Sequence, residues 1–305
     1  MITVKDIVKK FPSVTALDSI SLDIREKEFF GLLGPNGAGK STLMNLLVGY
    51  EDPDSGSIAI GGETINRNTL ESRRKIGLIP QSLALYDELN AQENLEIFGN
   101  LFDVEPKILK ERIRESLSSV GLYERRRDKV KTFSGGMKRR LNLVASLLHD
   151  PPILLCDEPT VGVDPQSRNA IFDFLQRLNE QGKTIVYTTH YMEEAERLCS
   201  RIAIIDAGRI IALGTLSEIF EQFPGAEIIL IEKNPSTVIH EALFREFGTV
   251  DDRNDHFAIN PAAGLKLSAF FSRMEEHAIN PKFIELSRPS LEDIFLSATG
   301  KRLRD

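Results

Sequence analysis

The sequence predicts an α/β fold built around a parallel sheet, followed by a smaller α+β unit. Three observations predict it. A short apolar run, Glu28-Phe29-Phe30-Gly31-Leu32-Leu33, ends at a glycine-rich turn, after which Leu43, Leu46 and Leu47 recur at helical spacing. Two further apolar runs, residues 153–156 and 184–188, each follow a segment of helical period. After residue 214 the pattern changes, and Phe223-Pro224-Gly225 punctuates the chain like a linker.

Taken in order, residues 2–8 and 20–24 alternate apolar and polar in the manner of strands. Residues 91–120 are helical in period and rich in charge, with Lys107, Lys110, Glu111, Arg112 and Arg114 among them. They form the centre of a helical subdomain expected over about residues 85–150. Helices are expected from about 136 to 148 and from 166 to 179, ahead of the second and third buried strands. The first domain is therefore placed at residues 1–222 and the second at 225–305, with the boundary near Pro224. In the second, strands are expected at 227–231, 249–251, 256–259 and 282–286, and helices at 235–247, 265–276 and 291–298. The order βαββαβ plus a helix suggests a ferredoxin-like sandwich.

Bulk numbers narrow the class. At 305 residues the chain has room for about two domains of roughly 150 residues. With 41% hydrophobic and 27% charged residues it reads as globular. Lys and Arg number 38 against 45 Asp and Glu, and a net charge of -7 gives no general attraction to nucleic acid or anionic lipid. No nucleic acid partner is expected. Two cysteines, Cys156 and Cys199, are too few for a disulfide framework and favour a reducing compartment. No run approaches the roughly 18 apolar residues of a membrane span, and no signal-peptide core opens the chain, so it is not expected to cross a membrane by itself.

Gly34-Pro35-Asn36-Gly37-Ala38-Gly39-Lys40-Ser41 has the spacing G-x-x-x-x-G-K-S and sits between a buried strand and a helix. In that context the glycines let backbone N–H groups curve around phosphate oxygens, Lys40 reaches the β- and γ-phosphates, and Ser41 offers a hydroxyl to Mg²⁺. Thr42 extends the set of candidate nucleotide contacts. Outside that context the same string would be a glycine-rich turn with a chance Lys-Ser. Residues 153–156 lead into Asp157 and Glu158, at a strand end where open α/β sheets place ligand groups. Asp157 there suits a Mg²⁺ ligand, direct or through water, and Glu158 a group that orients or deprotonates an attacking water. Taken alone, the pair also reads as the solvated start of a loop. Another β-rich run ends at His190, whose neutral imidazole can hydrogen-bond a γ-phosphate or a water, or serve structure alone.

The ordered set of phosphate loop, Gln81, Phe133-Ser134-Gly135-Gly136-Met137, Asp157-Glu158, Asp164 and His190 resembles the ATP-binding cassette (ABC) ATPases over roughly residues 1–220. The resemblance implies ATP and Mg²⁺ as ligands and ATP hydrolysis as the activity. It makes Gln81 the Q-loop glutamine, a Mg²⁺ contact near the membrane subunit, and Ser134, Gly135 and Gly136 the signature loop that meets nucleotide held by a second copy of the chain. Asp164 matches the loop that communicates across that dimer. Phe11 falls where an aromatic ring stacks on adenine; tyrosine is commoner there, and an ordinary core phenylalanine is the alternative. The common signature Leu-Ser-Gly-Gly-Gln stands here as FSGGM, so Met137 replaces a polar contact.

The strings FSGGMKRRLN and EPTVGVDP, with the tail Arg288-Pro289-Ser290-Leu291-Glu292-Asp293-Ile294-Phe295 and Thr299-Gly300, resemble the drug- and lipid-exporter branch of the family. That branch implies a peripheral subunit at the cytoplasmic face of the membrane, pairing with itself and with a separate integral permease. Leu83, Leu85 and residues 86–93 are candidates for the docking groove. A soluble cassette acting as an ATP-dependent interaction switch is the competing class; the single cassette and the absence of a long coiled-coil insertion count against it. A cassette that binds ATP without turnover is disfavoured by the joint presence of Lys40, Asp157, Glu158 and His190.

Overall fold

The computed structural model describes residues 2–223, 228–262, 264–287 and 290–299. Pro224, Gly225 and Glu227 of the expected linker and strand start, and Arg288, Pro289 and Gly300 of the tail, lie outside the described residues. Contacts divide the chain into two compact units, Met1–Leu216 and Ser217–Asp305.

The first unit runs β1 (Ile2–Phe11), β2 (Val14–Ile24), β3 (Phe29–Leu33), α1 (Lys40–Leu47), β4 (Ser55–Ile60), β5 (Glu63–Thr64), α2 (Leu70–Arg74) and β6 (Ile76–Ile79). The helical segment follows as α3 (Ala91–Leu101), α4 (Pro106–Ser119) and α5 (Gly135–Ala145). Then come β7 (Ile153–Asp157), α6 (Pro165–Glu180), β8 (Thr184–Thr189), α7 (Met192–Leu198), β9 (Arg201–Asp206) and β10 (Arg209–Gly214); α8 (Leu216–Gln222) starts at the last residue of this unit and otherwise belongs to the second.

A six-stranded sheet has the order β10-β9-β3-β8-β7-β6, parallel except for the β10 edge. β3, flanked by β8 and β9, is buried at all five residues, as expected for a parallel strand covered on both faces. Register fixes the functional edge: Leu33 pairs with Thr189, Asp157 with Thr188, and Ile79 with Cys156. The chain therefore leaves four strands at one edge, into the glycine-rich loop, Pro80-Gln81, Glu158 and His190.

The parallel sheet is only part of the unit. β1, β2, β4 and β5 form a separate antiparallel sheet in the order β2-β1-β4-β5, and β2 begins at Val14, well before the expected residue 20. Bulges along β1 and β2 break the strict alternation that marks a strand in sequence. Ile2, Val4, Ile20 and Ile58 from this sheet share one core with Leu43, Met44, Leu155, Val186 and Ile205. Two of the helix starts near the site are capped by side chains. Asn90 and Glu93 close a capping box on α3, and the Asp164 side chain accepts from Ser167 N at 2.9 Å ahead of Pro165 at the first turn of α6.

The second unit contains β11 (Ile228–Glu232), α9 (Glu241–Phe244), β12 (Gly248–Asp252), β13 (His256–Pro261), α10 (Leu267–Glu276), β14 (Ile284–Ser287) and α11 (Leu291–Thr299). Its antiparallel sheet has the order β12-β13-β11-β14, and Ile229, Ile231, Phe244, Phe257, Phe270 and Met274 form its core. The helix expected over 235–247 is much shorter. Thr237 Oγ1 donates to Glu232 O at 2.7 Å and accepts from Asn234 N at 2.9 Å, holding residues 234–237 in a turn. A 3-10 turn, Val238–His240, then leads into the single turn of α9.

Candidate functional site

The glycine-rich loop joins β3 to α1. Gly39 has φ +107°, and a Cβ there would meet Ala16 O at 2.5 Å, so the turn into α1 requires glycine. Lys40, 4% exposed, donates Nζ to Gly34 O at 2.7 Å and Pro35 O at 3.1 Å, so its stem arches back over the loop that carries it. The same Nζ lies 3.1 Å from Glu158 Oε1, an ion pair buried at both ends.

Glu158 is the centre of the site. Its φ is +44°, a left-handed conformation uncommon for a residue with a side chain, and its N–H donates to Thr188 Oγ1 at 2.9 Å. Thr188 in turn donates Oγ1–H to Asp157 Oδ1 at 2.7 Å, so one hydroxyl on β8 ties both acids of β7 together. Gln81 Nε2 donates to Glu158 Oε2 at 3.3 Å. His190 Nδ1 lies 3.3 Å from the same oxygen but outside hydrogen-bonding geometry, a contact of proximity.

Lys40, Gln81 and Glu158 open onto a cavity of about 490 Å³ lined also by Phe11, Val14, Ala16, Asn36, Gly37, Gly39, Ser41 and Thr42; Gly34, Pro35, Ala38, Asp157 and His190 stand behind or beside this lining. Phe11, at the end of β1, is 40% exposed, unlike a core phenylalanine. The cavity joins an aromatic face, a loop of backbone donors, a lysine and a carboxylate. That combination suits a planar base carrying a chain of phosphates. Among the described residues no group of three or more His, Cys, Asp or Glu side chains is arranged to hold a metal ion by itself.

Ser134, Gly135, Gly136 and Asp164 do not line this cavity. They gather elsewhere. Ser134 caps α5 by accepting from Met137 N at 3.3 Å, and a Cβ on Gly136 would lie 2.2 Å from Ser167 Oγ and 3.2 Å from Asp164 Oδ2. The backbone N–H of Ser167 holds the Asp164 carboxyl below the usual carboxylate range.

A family model described as ABC transporter matches residues 17–161. The chain is 42% identical to the linearmycin resistance ATP-binding protein LnrL of Bacillus subtilis, over all of both chains. This chain belongs to the ABC transporter family. It is also 36% identical to a Nod factor export ATP-binding protein I of Ralstonia nicotianae, covering all of this chain and 95% of that one. A dimeric structure of a post-hydrolysis state of the ATP-binding cassette MJ0796 bound to ADP and Pi superposes with a TM-score of 0.64. It is 30% identical and covers 71% of this chain and 99% of that one. The chain is thus an ABC ATP-binding subunit that binds and hydrolyses ATP.

Two residues that hold the site together, Arg139 and Glu194, are not among those to which the sequence motifs assign a role. Arg139 donates to the carbonyls of Pro80, Gln81, Glu158 and Pro159. Glu194, buried on α7, accepts from Thr160 Oγ1 at 2.8 Å, Tyr187 Oη at 2.9 Å and Thr189 Oγ1 at 2.8 Å, anchoring the segment after β7 to β8. The available signal was a charged residue on an apolar helix face: Arg139 precedes Leu143 by four residues, and Glu194 precedes Leu198 by four.

Cys156 neighbours the acids yet is fully buried in β7, and burial pushes its thiol, like that of Cys199, far above the usual range. In the native ATPase neither thiol is expected to react with iodoacetamide at pH 8, whereas in guanidinium chloride both are labelled. Intact-mass measurement reads the difference, and rapid labelling of the folded chain contradicts the inert assignment.

Proposed function

We propose that this chain is the ATP-driven subunit of an exporter, acting as a pair of identical copies at the cytoplasmic face of a membrane, beneath a separate integral permease. One observation carries the reading. The loop, Gln81 and Glu158 line one cavity, while Ser134, Gly135, Gly136 and Asp164 lie outside it, so each chain presents two complementary parts of a nucleotide site. Two copies, each closing its α5 start over the other's phosphates, complete two sites. The α5 N-terminus, with Gly135 free of steric neighbours, presents backbone N–H groups and a positive dipole end suited to a γ-phosphate.

Within the cavity, Phe11 stacks on the base and Gly34, Pro35, Asn36, Gly37, Ala38, Gly39, Ser41 and Thr42 wrap the phosphates. Phosphate draws Lys40 away from Glu158, and the released carboxylate takes the proton of the attacking water, with His190 beside it. Mg²⁺ would be held by oxygens of Ser41 and Gln81, which line the cavity, and of Asp157, which adjoins Glu158 in the chain, with the nucleotide supplying the rest. When bound, it neutralises charge developing between the β- and γ-phosphates.

No helix among the described residues is long and apolar enough to cross a membrane, so transport through this subunit calls for a membrane partner. Exposed Leu83 and Tyr86 border α3, and Asn94 grips Tyr86 through both backbone groups, which gives the expected docking segment a rigid base. The resistance and export names of the relatives support an exporter. The two-domain division at 1–222 and 225–305 belongs to the same reading. A ferredoxin-like form for the second domain is supported by its strand order.

Tagged Glu158→Gln protein, expressed in its native cell and purified from ATP-treated solubilised membranes, is expected to retain a polytopic membrane protein in stoichiometric amount, identified by mass spectrometry. Recovery only with soluble ribosomal or DNA-bound partners overturns the exporter reading in favour of an ATP-dependent interaction switch.

A further inference from the structure

Arg139 is 3% exposed, yet no carboxylate pairs with it among the described residues. Its Nε donates to Pro159 O at 2.6 Å and Nη2 to Glu158 O at 2.7 Å. Its Nη1 donates to Pro80 O at 3.0 Å and Gln81 O at 2.8 Å. All four acceptors are neutral carbonyls; burial pushes its pKa down, and the charges of Asp157 and Glu158 offset that without pairing with it directly. A full charge is an expensive way to tie two loops together if packing were the only need.

The acceptors belong to the two segments that carry the proposed hydrolytic side chains. Pro80-Gln81 follows β6, and Glu158-Pro159 follows β7. The left-handed backbone of Glu158 is held from both sides, its N–H by Thr188 and its carbonyl by Arg139. Along α5 the attachment continues: Asn142 Oδ1 accepts from Ala84 N at 3.0 Å and Ser146 Oγ donates to Leu78 O at 2.6 Å. Residues 139, 142 and the C-cap 146 lie on one helical face, so α5 is fastened to residues 78, 80, 81 and 84. The same helix starts at Ser134-Gly135-Gly136.

We propose that Arg139 is a positioning residue that sets the relative placement of Gln81 and Glu158 from α5, making ATP turnover depend on where the helix carrying Ser134-Gly135-Gly136 sits. The proposal rests on the reading of Gln81 and Glu158 given above. A guanidinium is suited to the task because its planar fork addresses both segments at once; a lysine ammonium keeps the charge but cannot hold the four carbonyls in that fixed geometry.

The test compares full-length wild type, Arg139→Lys and Arg139→Met, each with and without Gln81→Ala, by steady-state ATPase kinetics and by titration with a fluorescent ATP analogue. Arg139→Met is expected to lower kcat about 10- to 100-fold, the size of a small misplacement of reacting groups, with analogue affinity near wild type. Arg139→Lys should fall between. Gln81→Ala, expected to lower kcat in the wild-type background, should lower it little further in either Arg139 background, because the glutamine is already misplaced. If Arg139→Met does not fold, the Arg139→Lys cycle carries the test. Full multiplicativity of the two losses, or a wild-type kcat in the Arg139 variants, overturns the proposal. Glu158→Gln assayed alongside separates the two levels: wild-type turnover in that variant defeats the site reading itself, whereas its inactivity beside fully active Arg139 variants defeats only this inference.

Discussion

Glu158→Gln is expected to lower the ATP turnover rate by about 100- to 10,000-fold, the range associated with losing a positioned general base. Gln keeps the size of the side chain and a carbonyl oxygen able to accept from Gln81, so the 3.3 Å contact and the unusual backbone at residue 158 are retained. What is lost is the ability to take a proton. Removing the carboxylate also removes a negative charge next to the place where phosphate sits, so ATP affinity should be unchanged or tighter. On the proposed pairing of two copies, ATP-dependent dimers that hydrolysis would otherwise dissolve should then accumulate. Size-exclusion chromatography with ATP reads the dimer, and phosphate release reads turnover. Turnover near wild type would remove Glu158 from the proposed mechanism, leaving His190, 3.3 Å from the same oxygen, as the nearest alternative base.

The sequence carried the site more clearly than the scaffold. The phosphate loop, Asp157, Glu158 and His190 each follow a short apolar run, and the parallel register brings those run ends to one edge, so local patterns sufficed to locate them. Phe11 was legible only through the family resemblance, because nothing local distinguishes it from the buried Phe30 of β3. The sequence does not single out β4, β6 and β9 as strands. Each has at most six residues, and runs such as Ile76-Gly77-Leu78-Ile79 look alike in a strand or a buried helical turn. The helix expected over 235–247 is cut short because the side chains of Thr237 and Asn234 bond to nearby backbone, while Val238 and Ile239 are branched at Cβ. Arg139 and Glu194 were out of reach for another reason: their partners lie about 20 to 60 residues away for Arg139, and on two separate segments for Glu194.

Lys40→Ala is expected to weaken ATP binding roughly 10- to 100-fold, corresponding to the loss of one or two charge-assisted contacts to phosphate. The same substitution acts on the protein without nucleotide. Lys40 Nζ is the cation beside Glu158 Oε1 and also satisfies Gly34 O and Pro35 O, so its removal leaves a buried carboxylate without its ion-pair partner and two carbonyls without that donor. Breaking a buried pair from one side costs about 3–5 kcal/mol in measured cases, more than its net contribution, because the remaining charge stays desolvated. The thermal midpoint of Lys40→Ala should therefore fall. Adding Glu158→Gln should restore part of the loss by neutralising the stranded carboxylate, although that second change alone creates no new contact for the loop. Calorimetry of the two single variants and the double variant measures this recovery, and nucleotide titration measures affinity separately. Unchanged ATP affinity in Lys40→Ala would mean that the loop is misread. Strictly additive midpoints would mean that the 3.1 Å pair is not an energetic unit and that phosphate need not displace it to free Glu158.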